Sequence, residues 1–266
     1  MALMHVKYQS MALYGLNISV EVILPQGEVP PRGHRTVWLL HGMSDNETMW
    51  QRRTSIERYA DAHNVAVVMP AVQLSCYADM AHGYPFYTFV TEELPRVMRE
   101  FFPLSSARED NYVVGLSMGG EGACKIGLSK PENYSVIGCL SAGAYNHEPR
   151  DVSNPDPNNA YSMWEFNRFD GIAVEGTPRD CFGNAKKIVA ENESEGKPIP
   201  RVFHAIGADD FLLESAYKTR AFFESLYGNP FDYHLEEHPG AHTWDFWDLH
   251  IQRFLDYVDC LGEFAK

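Results

Sequence analysis

The sequence predicts an α/β fold: one domain, residues 1–266, on a mostly parallel central sheet with helices on both faces. Three observations carry this. From residue 36 onward, short apolar runs alternate with stretches of helical period. Two of those runs, Thr36-Val-Trp-Leu-Leu40 and Val65-Ala-Val-Val-Met69, are apolar or β-branched throughout, as strands of a parallel sheet buried on both faces must be. A third run, Tyr112-Val-Val-Gly-Leu116, goes straight into Ser117-Met-Gly-Gly120 and then a helical stretch, so a strand, a tight turn and a helix follow with no linker.

Taken in order, residues 3–10 and 16–24 read as strands of an antiparallel hairpin at a sheet edge, stopped by Pro25 and Gly27. Residues 28–35, with two prolines and a glycine, are a loop. Residues 36–40 form the next strand. Residues 50–63 have helical spacing, with Ile56, Tyr59 and Ala60 on one face. The 65–69 strand ends at Pro70. A polar and aromatic loop follows (Gln73, Ser75, Cys76, Tyr77, Asp79, His82, Tyr84), at the strand end where α/β folds bind ligands. Residues 86–102 predict a helix kinked or broken at Pro95.

Beyond the Ser117 segment, 135–140 is a strand. Residues 144–200 are rich in Pro, Asn and Asp, with Tyr161, Trp164, Phe166 and Phe169 interspersed. A structureless loop of that length is unusual, so this is an inserted, lid-like excursion over the active site, with short helices and one at about 184–195. Its aromatics suit a substrate wall or a satellite core equally. Trp50, Tyr77 and Trp164 are the candidate substrate contacts. Strands at 200–206 and 231–236 and a helix at 213–227 follow. A loop at 237–242 leads into a terminal helix at 244–261, apolar along Trp244, Trp247, Ile251, Phe254, Leu255 and Val258.

A net charge of −14 and a pI near 5.2 argue against nucleic acid or an anionic membrane as partner. No leader-like start or run long enough to span a bilayer is visible. Five scattered cysteines without a C-x-x-C pair suit reduced thiols, so a cytoplasmic location is expected. Neither H-E-x-x-H nor a comparable ligand spacing occurs, so no metal is expected.

The spacing Gly115-x-Ser117-x-Gly119 is that of a nucleophile elbow, and its strand-turn-helix context separates it from a chance Gly/Ser turn. Gly138-Cys-Leu-Ser141-Ala-Gly143 is a decoy, because Cys139 stands where the elbow needs glycine. A serine hydroxyl is a weak nucleophile and needs a base oriented by a carboxylate. With this elbow the chain order is Ser, then Asp or Glu, then His. Asp209 and Asp210 both follow the 200–206 strand, and position does not choose between them. Of His238 and His242, the second is favoured: it lies nearer the last helix and follows Gly240, whereas Pro239 restricts His238. The loop at His41-Gly42-Met43 is placed to supply one oxyanion-hole N–H, from Met43, alongside that of Met118. His41 itself reads as a brace for that loop.

Taken together, Leu39-Leu-His-Gly-Met-Ser-Asp-Asn46, Gly115-Leu-Ser-Met-Gly-Gly120, Asp210-Phe-Leu212 and Gly240-Ala-His-Thr-Trp244 resemble the esterase D/putative esterase family of α/β hydrolases. The likeness is greatest to its tributyrin-esterase (EstA-like) branch. Val67-Val-Met-Pro70 and Glu93-Leu-Pro95 extend it over nearly the whole chain. The resemblance implies an α/β-hydrolase fold and a serine carboxylesterase for short-chain, acetyl-to-butyryl esters of small molecules. It implies Asp210 as the triad carboxylate, since the family's acid directly precedes a Phe-Leu pair, and it supports His242. It also favours a homo-oligomer. The chemistry so assembled needs no metal or organic cofactor. Relatives of S-formylglutathione hydrolase carry a different segment in place of His41-Gly42-Met43, yet a thioesterase of that kind is one alternative. Acetyl or feruloyl esters of carbohydrates, acyl transfer to an alcohol or sugar, and a non-catalytic binding protein with the same fold are the others.

Overall fold

A computed structural model describes residues 1–144 and 152–263, with the side chains of 262 and 263 left out. Its single sheet has eight strands in the order β1-β2-β4-β3-β5-β6-β7-β8. These are β1 (Ala2–Ser10), β2 (Leu16–Leu24), β3 (Thr36–Leu40), β4 (Ala66–Pro70), β5 (Asn111–Leu116), β6 (Val136–Leu140), β7 (Arg201–Gly207) and β8 (His234–His238). β1 and β2 pair antiparallel, as do β2 and β4; every pairing from β4 to β8 is parallel. The central strands β3 to β6 are buried along their whole length and apolar apart from Thr36 and Asn111 at the starts of β3 and β5.

Successive side chains of each strand point to opposite faces, so the sheet divides the core in two. Val37 and Leu39 of β3 join one apolar cluster, Trp38 and Leu40 the other. The first cluster is closed by α1 (Met49–Arg53), α2 (Ile56–His63) and, later in the chain, the terminal helix. The second is closed by α3 (Phe86–Thr88), α4 (Leu94–Phe101) and α5 (Met118–Ser129). Burying both faces stabilises the sheet by roughly 25 cal/mol for each Å² of apolar surface removed from water.

Two expected helices are interrupted, each for a local reason. Residues 50–63 split into α1 and α2 because Thr54 turns extended, its hydroxyl back-bonded to the Trp50 carbonyl at 2.5 Å, while the Ser55 N–H donates to Asp248 at 2.9 Å. Residues 86–102 split at a π-turn, Phe89–Glu93, which ends two residues before Pro95. Proline offers no N–H to the carbonyl four residues back and crowds it, and the wider turn relieves that clash.

The excursion forms α6 (Ala160–Phe169), capped by Asn159, and α7 (Cys181–Glu195), capped by Asp180 and ended by Gly196 at φ 69°. α6 lies on the loop after β4: Trp164 Nε1 donates to the Leu74 carbonyl at 2.7 Å, and the His82 and Ala81 N–H groups donate to the carbonyls of Asn167 and Arg168. Phe182 of α7 stacks at 3.9 Å on Phe222 of α8 (Leu213–Glu224). The start of the excursion, 145–151, lies outside the described residues.

β8 begins three residues later than residues 231–236 suggest. Asn229 and Asp232 take positive φ, and the Asn229 side chain accepts from the Tyr233 N–H at 2.9 Å, so 229–233 form a compact turn. His238 thereby joins the ladder, paired with Gly207, rather than the loop. α9 (Trp244–Glu263) closes the chain, and among the described residues no helix is long and apolar enough to cross a membrane.

Candidate active site

β5 ends at Leu116 and α5 starts at Met118, so Ser117 alone makes the turn. It does so at φ 51°, ψ −118°, a conformation that L residues adopt only under constraint. The motif glycines allow it. A Cβ on Gly115 would stand 2.5 Å from the Gly119 backbone, and one on Gly119 would stand 2.5 Å from the Leu40 carbonyl oxygen. The serine is thus held up where β3, β5 and α5 meet, its N–H donating to the Leu140 carbonyl at 2.8 Å.

The loops after β7 and β8 clasp each other through their backbones. The Asp209 N–H donates to the Gly240 carbonyl at 2.9 Å, and a Cβ on Gly207 would lie 2.3 Å from that same oxygen. This closeness brings Asp210, 4% exposed, against His242. His242 Nδ1 lies 3.0 and 3.1 Å from the two Asp210 oxygens, and Nε2 lies 3.0 Å from Ser117 Oγ. The hydroxyl, imidazole and carboxylate form one chain of contacts that can carry a proton off the serine.

Burial pushes the Asp210 carboxyl up. The bonds from His242 and the Leu212 N–H, with the Ser141 hydroxyl close by, outweigh it, and the net direction is below the ordinary carboxylate value. Asp210 is therefore an anion at neutral pH. Asp209 is exposed, and it is Asp210 whose oxygens meet His242 Nδ1, so space chooses where position did not. His238, next to Glu236 at 3.2 Å, is likewise apart from Ser117.

The serine opens onto a cleft of about 480 Å³ lined by Gly42, Met43, Asp45, Leu116, Phe211, Thr243, Trp244 and Trp247 together with Ser117 and His242. Phe211, 75% exposed, packs 4.4 Å from the His242 ring, and Trp247 meets that ring edge-on at 5.0 Å. Asp45 Oδ2 accepts the Gly42 N–H at 3.2 Å and holds the turn that presents Met43. Met118 opens α5, whose first N–H groups have no acceptor within the helix. His41 is buried, its Nδ1 donating to the Gly42 carbonyl and its Nε2 accepting the Val72 N–H, so it braces the loop. Burial takes its pKa down to about 4 and keeps it neutral.

The expectation that Trp50 and Tyr77 touch substrate is corrected by where they lie, and Trp164 is not among the residues lining the described cleft. Trp50 is fully buried, donating to the Leu40 carbonyl at 3.0 Å. Tyr77 is fully buried, donating to the His41 carbonyl at 2.9 Å and packed on Gly122. Trp164 anchors α6 and carries the Arg168 guanidinium 3.3 Å above its ring. None of the three lines the cleft. Large aromatics near a site loop look alike in sequence whether they face ligand or core. The aromatics that do line it, Phe211, Trp244 and Trp247, flank Asp210 and His242 directly, a signal the sequence did carry. Ser141, the decoy serine, is also part of the site's surroundings: buried at φ 49°, it stands beside the Asp210 carboxylate.

Residues 10–256 match a family model named Esterase and described as putative esterase. The chain belongs to this esterase family. It is 31% identical over 275 residues to the acetyl esterase of Caldicellulosiruptor saccharolyticus, a match covering 99% of this chain and all of that protein. Among solved structures it is similar to FphF, a fluorophosphonate-binding serine hydrolase of Staphylococcus aureus (TM-score 0.82, 30% identity, 97% of this chain and 98% of that one). It is similar also to FrmB, an S-formylglutathione hydrolase of Staphylococcus aureus (TM-score 0.78, 32% identity, the same coverage). The esterase thus has the α/β-hydrolase fold and is a carboxylic ester hydrolase of the serine type.

Proposed function

We propose that this esterase hydrolyses acetyl-to-butyryl esters of small alcohols, with Ser117, His242 and Asp210 as its triad. The observation that carries the reading is the unbroken line of contacts from Ser117 Oγ through both imidazole nitrogens to a buried carboxylate. Ser117 Oγ attacks the ester carbonyl carbon as its proton passes to His242 Nε2. Asp210 holds the tautomer with the proton on Nδ1 and stabilises the imidazolium. The N–H groups of Met43 and Met118 bind the oxyanion. His242 returns the proton to the departing alkoxide, leaving an acyl-serine. Water then attacks that ester, giving its proton to His242, and the acid leaves as the proton returns to Ser117. No step calls on a metal or organic cofactor.

The cleft's apolar walls (Met43, Phe211, Trp244, Trp247) suit a short acyl chain, and a full-length relative is named an acetyl esterase. The 32% likeness to a protein named S-formylglutathione hydrolase favours a small acyl thioester as the second reading. A small ester is the proposed partner, with a homo-oligomer in the cytoplasm as the working form. The free cysteines, four of them buried, support a reducing compartment.

Hydrolysis of p-nitrophenyl esters from acetyl to octanoyl, with S-formylglutathione alongside, tests this. The expected result is activity that peaks at two to four carbons and falls at least a thousandfold in Ser117→Ala. Activity unchanged in that variant overturns the site. A preference for S-formylglutathione over every oxygen ester selects the second reading.

A further inference from the structure

Three side chains outside the ester site converge where β8 meets α9. Glu236 and His238 stand two apart on β8 and so share a face of the strand. His250 comes from the second turn of α9. One ligand atom from each lies within 4.8 Å of the other two. Sequence spacing does not flag the group, because His250 follows His238 by twelve residues and comes from another element.

The chemistry of His250 sets the cluster apart. The residue is fully buried. Its Nδ1 donates to the Phe246 carbonyl at 2.8 Å, which leaves the lone pair on Nε2. Nε2 is buried and has no hydrogen-bond partner among the described residues. The ring is stacked on Phe246 at 3.7 Å and stands 5.1 Å from the His238 ring. An imidazole oriented by a backbone carbonyl, with its other nitrogen bare toward a second imidazole and a carboxylate, is the arrangement metal-binding histidines take.

We propose that Glu236, His238 and His250 bind one divalent transition-metal ion of the zinc class. Two imidazoles and one carboxylate select Zn²⁺, Co²⁺ or Ni²⁺ over Mg²⁺ and Ca²⁺, which take oxygen shells. Arg253 donates twice to Glu236, Nε to Oε2 at 2.6 Å and Nη2 to Oε1 at 2.9 Å, and His234 lies 3.4 Å from Oε1. Arg253 therefore acts as the outer partner that orients the carboxylate. Its charge makes the site weaker than a closed structural zinc cage. Ligand atoms around a tetrahedral zinc stand about 3.4 Å apart; His238 Nε2 is already 3.2 Å from Glu236, so binding draws this pair and His250 together by roughly an ångström.

The ion takes no part in ester chemistry. It ties the end of β8 to α9 at the root of the loop carrying His242, four residues beyond His238. The His238 carbonyl already accepts the Ala208 N–H at 2.8 Å, so the same tie reaches the Asp210 loop.

The test is calorimetric titration of chelator-stripped protein with ZnCl₂, the absorption spectrum with Co²⁺, and thermal melts with and without zinc. Wild type, His238→Gln, His250→Gln and His242→Gln are compared. The expected result is one equivalent of zinc and a higher Tm on binding. His238→Gln and His250→Gln each weaken binding at least tenfold, and His242→Gln leaves it intact. Should His250→Gln fail to fold, His238→Gln, at a partly exposed position, carries the test. No binding by wild type, or undiminished binding by His238→Gln, overturns the proposal. Loss of binding in His242→Gln alone also overturns it, by placing the ion at the ester site.

Discussion

Replacing Asp210 with Asn keeps size and shape yet removes the charge, and the surrounding bonds dictate how the amide must sit. The Leu212 N–H donates to Oδ1 at 2.8 Å, so the amide oxygen stays there. The NH₂ group then takes the Oδ2 position, 3.0 Å from His242 Nδ1. It can only donate, and although the amide oxygen stays 3.1 Å from Nδ1, the shorter contact now favours Nδ1 as acceptor with the ring proton on Nε2. Nε2 then faces Ser117 Oγ at 3.0 Å with a hydrogen instead of a lone pair and cannot accept the serine proton. In a triad of this type that exchange costs on the order of 10⁴ in kcat, or about 5.4 kcal/mol of barrier. The assay is steady-state hydrolysis of p-nitrophenyl acetate at neutral pH, with a melting curve to show that the variant is folded. Asp209→Asn, at an exposed position, is expected to stay within a few-fold of wild type. A folded Asp210→Asn enzyme retaining more than a tenth of wild-type kcat, or an equal loss in Asp209→Asn, refutes the reasoning.

Gly115→Ala drives a Cβ to 2.5 Å from the Gly119 backbone. It is expected to cost about 1–3 kcal/mol in urea unfolding and, by shifting Ser117, about a hundredfold in kcat. Phe211→Ala removes an exposed ring, so its Tm stays near wild type. If the ring covers roughly 50 Å² of a butyryl ester, its loss removes about 1.2 kcal/mol and KM rises roughly eightfold; an unchanged KM across the acyl series removes Phe211 from the binding surface. Burial lowers both His41 and His204, the latter fully buried on β7, from 6.5 to about 4. Below pH 6.5 the unfolded chain therefore binds protons that the folded one refuses. That stability is full above pH 6.5 and declines as pH falls toward 4, by about 2 kcal/mol per histidine at pH 5. Denaturant unfolding at pH 7 and pH 5 reads it, and equal stability at the two values contradicts it.

Much of the architecture was legible because its causes are local. Strands buried on both faces must be apolar or β-branched nearly throughout, and that marks residues 36–40 and 65–69. Backbone sterics at a one-residue turn demand small neighbours, and that marks Gly115 and Gly119 around Ser117. Chain order narrowed the acid to two adjacent aspartates and the base to two histidines. What local pattern cannot carry is contact between distant residues. The break at Thr54 and Ser55 depends on Asp248, 193 residues on. The start of β8 depends on a turn that Asn229 ties shut, and it moves His238 into the ladder beside His250. Trp50 and Tyr77 are core braces because β3 and α5 happen to pass behind them. The sequence by itself determined the α/β class and the nucleophile elbow, since burial and backbone geometry impress those on neighbouring residues, and its resemblance to the esterase family implied the ester chemistry. Only the tertiary structure decided which aspartate faces His242, which aromatics wall the cleft and which histidines meet Glu236, because those depend on how loops far apart in the chain close on one another.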